Sequence, residues 1–342
     1  MRVAEDVTRG EMSERQAGRR GGWGWQRQVA VVLALWWLPF MAMAAPLSGT
    51  LGSIGSDTLG GLMTQWGERL SARYPEVRLQ IQASGSGTAP PALAEGVTRF
   101  GAMSRPMSEA ERADFIARQG HPPLAVPVAL DALTLFVHRD NPLNSLSLPE
   151  VEALFADTRY CSQASPLRRW GALGLDGDWA KRPIARFGRN TASGSRALFK
   201  RKALCGGNFR RDVNELPGSS AVVAAVGRSR EAIGYAGLGY PTAMVKVLAL
   251  RDDQGTPRLP THDNVVSGRY PLTRPLYVYV NLAPDERLPA LERAFFDLVL
   301  SPEGQAVVAR QGFVPLPEPR LAAARRALRL PPLADVTQSS SN

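Results

Sequence analysis

Along the chain, short apolar runs of strand type alternate with segments whose apolar positions recur at helical spacing. VRLQIQA (77–83), LAVPVALDALTLFVH (124–138), IARFG (184–188), AIGYAG (232–237), VKVLAL (245–250) and LYVYVN (276–281) each read as a strand. Leu59, Leu62, Met63, Trp66 and Leu70 fall at i, i+3, i+4, i+7 and i+11, one face of a helix that ends near Tyr74-Pro75. A second helical face lies in LPALERAFFDLVLS (288–301). A third, in SPEGQAVVARQ (301–311), opens with Ser301 as N-cap and Pro302 in the first helical position. This alternation predicts an α/β layered fold. The end, RLAAARRALRLPPLADVTQSSSN, turns basic and then polar. Leu321, Leu328 and Leu330 predict a short docking helix, and residues 331–342 are expected to form a disordered tail.

The start of the chain has a different pattern. VAVVLALWWLPFMAMA is an apolar stretch of 16 residues from Val29, with Arg15, Arg19, Arg20 and Arg27 before it and Ala42-Met43-Ala44 at its end. A basic segment, an apolar segment and small residues at minus 3 and minus 1 predict a signal peptide over 1–44, with Met12 as an alternative start. Gly-Gly-Trp follows the twin arginine Arg19-Arg20 where a twin-arginine signal wants an apolar pair, so the expectation is Sec export to the periplasm or beyond. The alternative is an uncleaved anchor, for which the stretch is short against the ~20 residues of a bilayer span.

The sequence has 342 residues, 44% hydrophobic and 21% charged, enough for two cored domains or one large one. Its 41 Lys and Arg against 31 Asp and Glu give a formal charge of +10, and the chain stays basic without residues 1–44. Such a charge suits nucleic acid, a membrane surface or a small anion, and does not choose among them. Only three histidines, His121, His138 and His262, and two cysteines are present, all widely separated, so no local cluster predicts a metal site or a cofactor. In an oxidising compartment Cys161 and Cys205 have no third cysteine to compete and are expected to pair; two separate buried thiols are the alternative.

Three segments place hydroxyl residues and glycines just before a helical pattern: Gly55-Ser56-Asp57-Thr58-Leu59, Ser84-Gly85-Ser86-Gly87-Thr88, and Arg189-Asn190-Thr191-Ala192-Ser193-Gly194-Ser195-Arg196. A helix start offers unpaired N–H groups and the positive end of a dipole, and neighbouring hydroxyls add neutral donors, so each is a candidate anion seat. Singly each reads as an ordinary N-cap; together they point to an oxyanion site. Arg189 could grip two oxygens of a tetrahedral anion in fork geometry, or form a surface ion pair. No nucleotide loop and no Gly-x-Ser-x-Gly elbow is present.

With GSDTLGGLMTQWGERLSARYP, QASGSGTAPPALAEGVTRFGAMSRPMSEAE, ALTLFVHRDNPLNSLSLPEVEALFAD, ARFGRNTASGSRALFK, AIGYAG and LSPEGQAVVARQGFVPL in this order, the chain resembles the periplasmic phosphate-binding proteins, the solute receptors of phosphate ABC importers, over residues 48–316. The resemblance implies a type II periplasmic binding protein: two α/β lobes, 46–130 plus 274–330 and 131–273, joined by a two-strand hinge with an interlobe anion site. It implies no enzyme activity, and as partners inorganic phosphate or a similar tetrahedral oxyanion and an inner-membrane permease, with a monomer as the default. Carried over by motif, the ligand set is Thr58, Leu59, Ser86, Arg189, Ser193, Gly194 and Ser195.

One departure stands out. The family's FGASD ends in an aspartate that accepts a hydrogen bond from protonated phosphate; here the segment is Phe100-Gly101-Ala102-Met103-Ser104-Arg105. Either Arg105 turns to solvent, or it joins Ser104 at the ligand as a second guanidinium and favours a dianion. Asp57 is the candidate replacement acceptor, with a helix N-cap as its alternative role. Two other functions compete. A secreted phosphoester hydrolase would need paired carboxylates or histidines, which the sequence does not offer. A binder of an anionic polymer would use Arg168-Arg169, Arg210-Arg211 and Arg325-Arg326, but no stacking aromatics are interleaved with them, which counts against nucleic acid.

Overall fold

The computed structural model describes residues 47–162 and 165–333. The expected signal peptide lies outside the described residues, as do 334–342 of the expected tail. In chain order the elements are β1 (Gly49–Gly55), α1 (Asp57–Arg73), β2 (Val77–Gln82), α2 (Ala89–Ala94), β3 (Phe100–Met103), α3 (Glu109–Gln119), β4 (Leu124–His138), β5 (Ser145–Ser147) and α4 (Leu148–Phe155). There follow α5 (Gly177–Lys181), β6 (Ala185–Arg189), α6 (Gly194–Ala203), β7 (Val213–Leu216), α7 (Ser219–Arg228), β8 (Ala232–Gly237), β9 (Val245–Val247), β10 (Ala249–Arg251), β11 (Pro257–Arg258) and α8 (His262–Val266). β12 (Thr273–Val280), α9 (Ala290–Val299), α10 (Pro302–Arg310) and α11 (Glu318–Ala327) complete the chain.

The main sheet runs β2-β1-β3-β12-β4-β8-β6-β7, with β9 beside β4. β4 is the strand that holds it together. Its first part, Leu124–Ala132, pairs antiparallel with β12, and its second part, Leu133–Val137, pairs antiparallel with β8. Within each half the flanking pairs β1/β2, β1/β3, β6/β7 and β6/β8 are parallel. Helices therefore follow strand ends. β5, β10 and β11 form a separate small sheet. The run at 245–250 was expected as one strand; it divides, because Leu248 N–H donates to Leu135 O while Ala249 N–H turns away to Asn144 O, so β9 and β10 join different sheets.

The helical face of α1 packs as its spacing predicts: Leu59, Leu62, Met63, Trp66 and Leu70 are all buried. Trp66 stands edge-on to Phe295 of α9, and its indole N–H donates to Gly304 O. Ser301 caps α10 by accepting from Gly304 N–H at 3.1 Å, and Leu321, Leu328 and Leu330 dock α11 into the same core. These contacts draw the C-terminal helices onto the first half of the sheet.

Cys161 and Cys205 are joined, with Cα atoms 6.0 Å apart across 44 residues of sequence. The bond ties the segment after α4 to the end of α6, whose first turn belongs to the candidate site. Replacing both cysteines by serine should lower stability by about 2–4 kcal/mol on the chain-entropy account. Urea denaturation checks this, and coincident midpoints for the variant and the parent would contradict it.

α3 begins with a capping box in which Ser108 Oγ accepts from Glu111 N–H and the Glu111 carboxylate accepts from Ser108 N–H. Burial pushes the Glu111 carboxyl up, but the bonds from Arg105 and Ser108 outweigh it and hold the group below the usual glutamate range. A carboxyl depressed on folding adds stability at neutral pH and loses it as pH falls through its folded value. Glu111→Gln should therefore destabilise the protein by about 1 kcal/mol at pH 7 and by progressively less below about pH 4. Urea midpoints at several pH values test this; a difference that stayed constant down to pH 3 would contradict it.

Candidate functional site

On the first half of the sheet, Ser56 N–H donates to Ala102 O at 2.7 Å and Gly85 N–H to Gly55 O at 2.7 Å. The loops that follow β1, β2 and β3 are thus laced together at the strand ends. Ser86 Oγ accepts from Ser104 N–H at 3.0 Å and lies 3.2 Å from Ser104 Oγ. With one lone pair taken by an amide, the Ser86 hydroxyl keeps its proton free to donate. On the other half, β6 ends at Arg189, and Ser193 caps α6 by accepting from Arg196 N–H at 3.3 Å. Gly194 and Ser195 form the first turn of that helix, where amides lack intrahelical partners.

The two sets of loops meet. Thr58 Oγ1 stands 3.4 Å from Ser195 Oγ, and Gly87 N–H donates to Ala192 O at 3.0 Å. Two glycines allow the approach. Gly85 has φ +126°, and a Cβ there would stand 2.6 Å from Ala192 O. A Cβ at Gly194 would overlap Ser86 Oγ and stand 2.6 Å from Ser104 Oγ. Thr58, Ser86, Ser104, Ser193 and Ser195, five hydroxyl residues from four segments, are all buried here. Buried hydroxyls, each with a proton to donate, and a helix start suit a desolvated anion.

Arg189 is 1% exposed. Its Nη1 donates to Asp57 Oδ2 at 2.9 Å and to Ser219 Oγ at 2.6 Å, and its Nη2 to Pro217 O at 2.8 Å. Its Nε, equally buried, has no protein partner. An orphaned N–H on a buried guanidinium is costly unless something else accepts it.

Three expectations change. Arg105 neither turns to solvent nor offers a second guanidinium fork: Nη1 and Nη2 close on the two oxygens of Glu111 at 2.7 and 2.6 Å. The capping box had already fixed Glu111 within reach, which is why the cation is spent there. Asp57 is not the N-cap, which is Ser56. Asp57 occupies the first helical position, and its Oδ2 bridges to Arg189 and to Ser219 N–H, 3.0 Å away. Its Oδ1 takes no part in those bonds. Leu59 N–H, expected among the ligand donors, donates to Ser56 O at 3.2 Å.

Four residues at the same place were not anticipated: Ser219, Tyr240, Asp131 and Arg274. Tyr240 donates its hydroxyl to Asp57 O at 2.8 Å; burial first, then the nearby Asp57 carboxylate, pushes its phenol far up, so it acts as a neutral donor. Asp131 and Arg274 form a buried ion pair on β4 and β12. Asp131 carried a signal, because it is the lone charge in an apolar run of strand type, and a charge buried there needs a partner. Ser219 and Tyr240 carried none.

The competing functions find little support. His121, His138 and His262 lie apart, bonded respectively to Pro122 O, Asp140 N–H and Asp263. Among the described residues no three His, Cys, Asp or Glu side chains gather as a metal site requires. Of the arginine pairs, Arg210 is spent on Asp212 and Arg325 is buried against Asp297. Among the described residues no helix is long and apolar enough to cross a membrane.

Comparison with known proteins fits this geometry. The family model of the PBP superfamily domain matches residues 42–303. The phosphate-binding protein PstS of Pseudomonas aeruginosa is 50% identical over 281 residues, covering 82% of this chain and 87% of that protein. Protein SphX of Synechococcus elongatus is 27% identical over 80% of each. Among solved structures, a phosphate ABC transporter substrate-binding protein from Clostridium perfringens with bound phosphate superposes at a TM-score of 0.66, with 25% identity, covering 79% of this chain and all of that one. An ABC-type phosphate transport receptor from Vibrio cholerae shares the fold at a TM-score of 0.61, with 19% identity over 78% of this chain and all of that one. With two α/β lobes built on one sheet and this degree of identity, the chain belongs to the PstS phosphate-binding proteins of the PBP superfamily.

Proposed function

We propose that the chain is an exported, non-enzymatic receptor that captures inorganic phosphate between its lobes and delivers it to an inner-membrane ABC permease, working as a monomer in the periplasm. The lobes are 46–130 with 274–330 and 131–273, and β4 and β12 are the two strands that hinge them. The observation that carries this reading is the meeting of Thr58, Ser86 and the Gly194-Ser195 helix start, beside which Asp57 holds Arg189, a buried guanidinium whose Nε lacks a protein acceptor. A tetrahedral anion supplies acceptors to donors of both lobes at once, so its binding favours the closed form. The family names given to its relatives support phosphate over other oxyanions.

Asp57 is the acceptor for the phosphate proton in this reading. Arg189 and Ser219 fix its Oδ2, and Oδ1 remains to accept. Sulfate brings no proton and would face that oxygen unfavourably. The test is calorimetric competition between phosphate and sulfate on either side of about pH 6–7, where the second phosphate proton is lost. With Arg105 spent on Glu111, phosphate affinity should vary little across that range and sulfate should compete poorly. Asp57→Asn should weaken phosphate binding and narrow the preference over sulfate; a variant unchanged in both would refute the role of Asp57.

A further inference from the structure

β4 and β12 carry between them an ion pair whose burial calls for a reason. Asp131 is 0% exposed and Arg274 2%, and the two are register partners on β4 and β12, with Arg274 Nε and Nη2 at 2.8 and 2.6 Å from Asp131 Oδ2. Burying such a pair is often no better for stability than an apolar pair of the same size, because both ions lose their hydration. What the charged pair has, and Leu or Val would not, is a link to each half of the sheet. Arg274 Nη1 donates to Ser104 O at 3.1 Å, on the loop after β3. Asp131 Oδ1 accepts from Leu238 N–H at 2.8 Å, on the loop after β8, which two residues later sends Tyr240 to Asp57 O.

The link to Ser104 reaches the donors themselves. Ser104 N–H occupies a lone pair of Ser86 Oγ at 3.0 Å, and this amide and the Ser104 carbonyl that Arg274 holds flank the same Cα, so the placement of Ser104 bears on where the Ser86 proton can point. We propose that Arg274, held by Asp131, is a positioning residue for the anion site: it anchors the peptide segment at Ser104 and thereby presents the Ser86 hydroxyl as a donor. It does so from the strands that join the lobes, and so ties donor geometry to the arrangement of β4 and β12. This inference rests on the phosphate reading above.

A double-mutant cycle tests it, with inorganic phosphate titrated into the whole protein, Arg274→Lys, Ser86→Ala and the combination. Lysine keeps the charge opposite Asp131 but lacks the fork that spans Asp131 and Ser104. Arg274→Lys should weaken phosphate binding by about tenfold, and Ser86→Ala should then have an effect at least about threefold smaller than in the parent, since its donor is already misplaced. A merely structural Arg274 would lower the denaturation midpoint and leave the two binding effects additive. Additivity, or affinity within about twofold of the parent, overturns the proposal. If Arg274→Lys does not fold, Asp131→Asn with Arg274→Gln leaves no unpaired buried charge, and its amide is too short to hold both partners; the same loss and the same coupling to Ser86→Ala are expected. A parent protein that binds no phosphate would defeat the functional reading instead.

Discussion

Arg189→Met is expected to weaken phosphate binding by roughly a hundredfold to a thousandfold, the usual consequence of truncating one side of a buried, hydrogen-bonded charge. Ser219 Oγ loses its Nη1 donor, and three further losses combine with that. The anion loses the Nε donor, Asp57 loses its Nη1 partner, and Pro217 O loses Nη2. Arg189→Lys should rescue little, because one ammonium cannot reproduce donors that point at Asp57, Ser219, Pro217 and an anion together. Calorimetric titration reads the effect directly. Either variant binding phosphate within about tenfold of the parent would remove Arg189 from the site.

Gly194→Ala should be nearly as damaging for a different reason. The first turn of α6 accepts alanine readily, so stability of the open protein should change little. In the closed arrangement, however, the new Cβ overlaps Ser86 Oγ and presses on Ser104 Oγ, which are tied to each other by the Ser104 N–H bond to Ser86 Oγ and to β12 by the Arg274 bond to Ser104 O. The halves can relieve the overlap only by parting, which separates the Ser195 and Thr58 hydroxyls and loses the donors of one side. Phosphate affinity should fall by about a hundredfold, as for other forced overpacking that costs a few kcal/mol. Small-angle scattering should show no contraction on adding phosphate. Parent-like affinity with normal contraction would mean that this contact does not limit closure.

Legibility in the sequence followed locality. β4 and β8 occupy the spans their apolar runs predict, and α1 buries the face its spacing predicts, because each pattern is complete within one element. β1, GTLGSIG, has no such signal: its small residues carry no apolar alternation, and its place comes from pairing with β2 and β3 on either side. The candidate site divides in the same way. Thr58, Ser86 and Ser195 were legible because Gly and hydroxyl residues before a helix are a local signal. The partners that decide what those residues can do were not. Glu111 sits only six residues from Arg105, in a capping box visible as Ser108-x-x-Glu111, yet nothing local aims the guanidinium at it. Arg274 lies 143 residues from Asp131, and Ser219 lies 162 from Asp57; only the antiparallel crossing of β4 and β12 and the return of the chain through β8 bring them together.

Diffraction from crystals grown with equimolar inorganic phosphate tests the central claim most directly. The account predicts difference density for one tetrahedral ion touching Thr58 Oγ1, Ser86 Oγ, the Gly194-Ser195 helix start and Arg189 Nε at once. Stoichiometric binding with the ion on another surface, or held by one lobe alone while Arg189 Nε stays unpartnered, would contradict it.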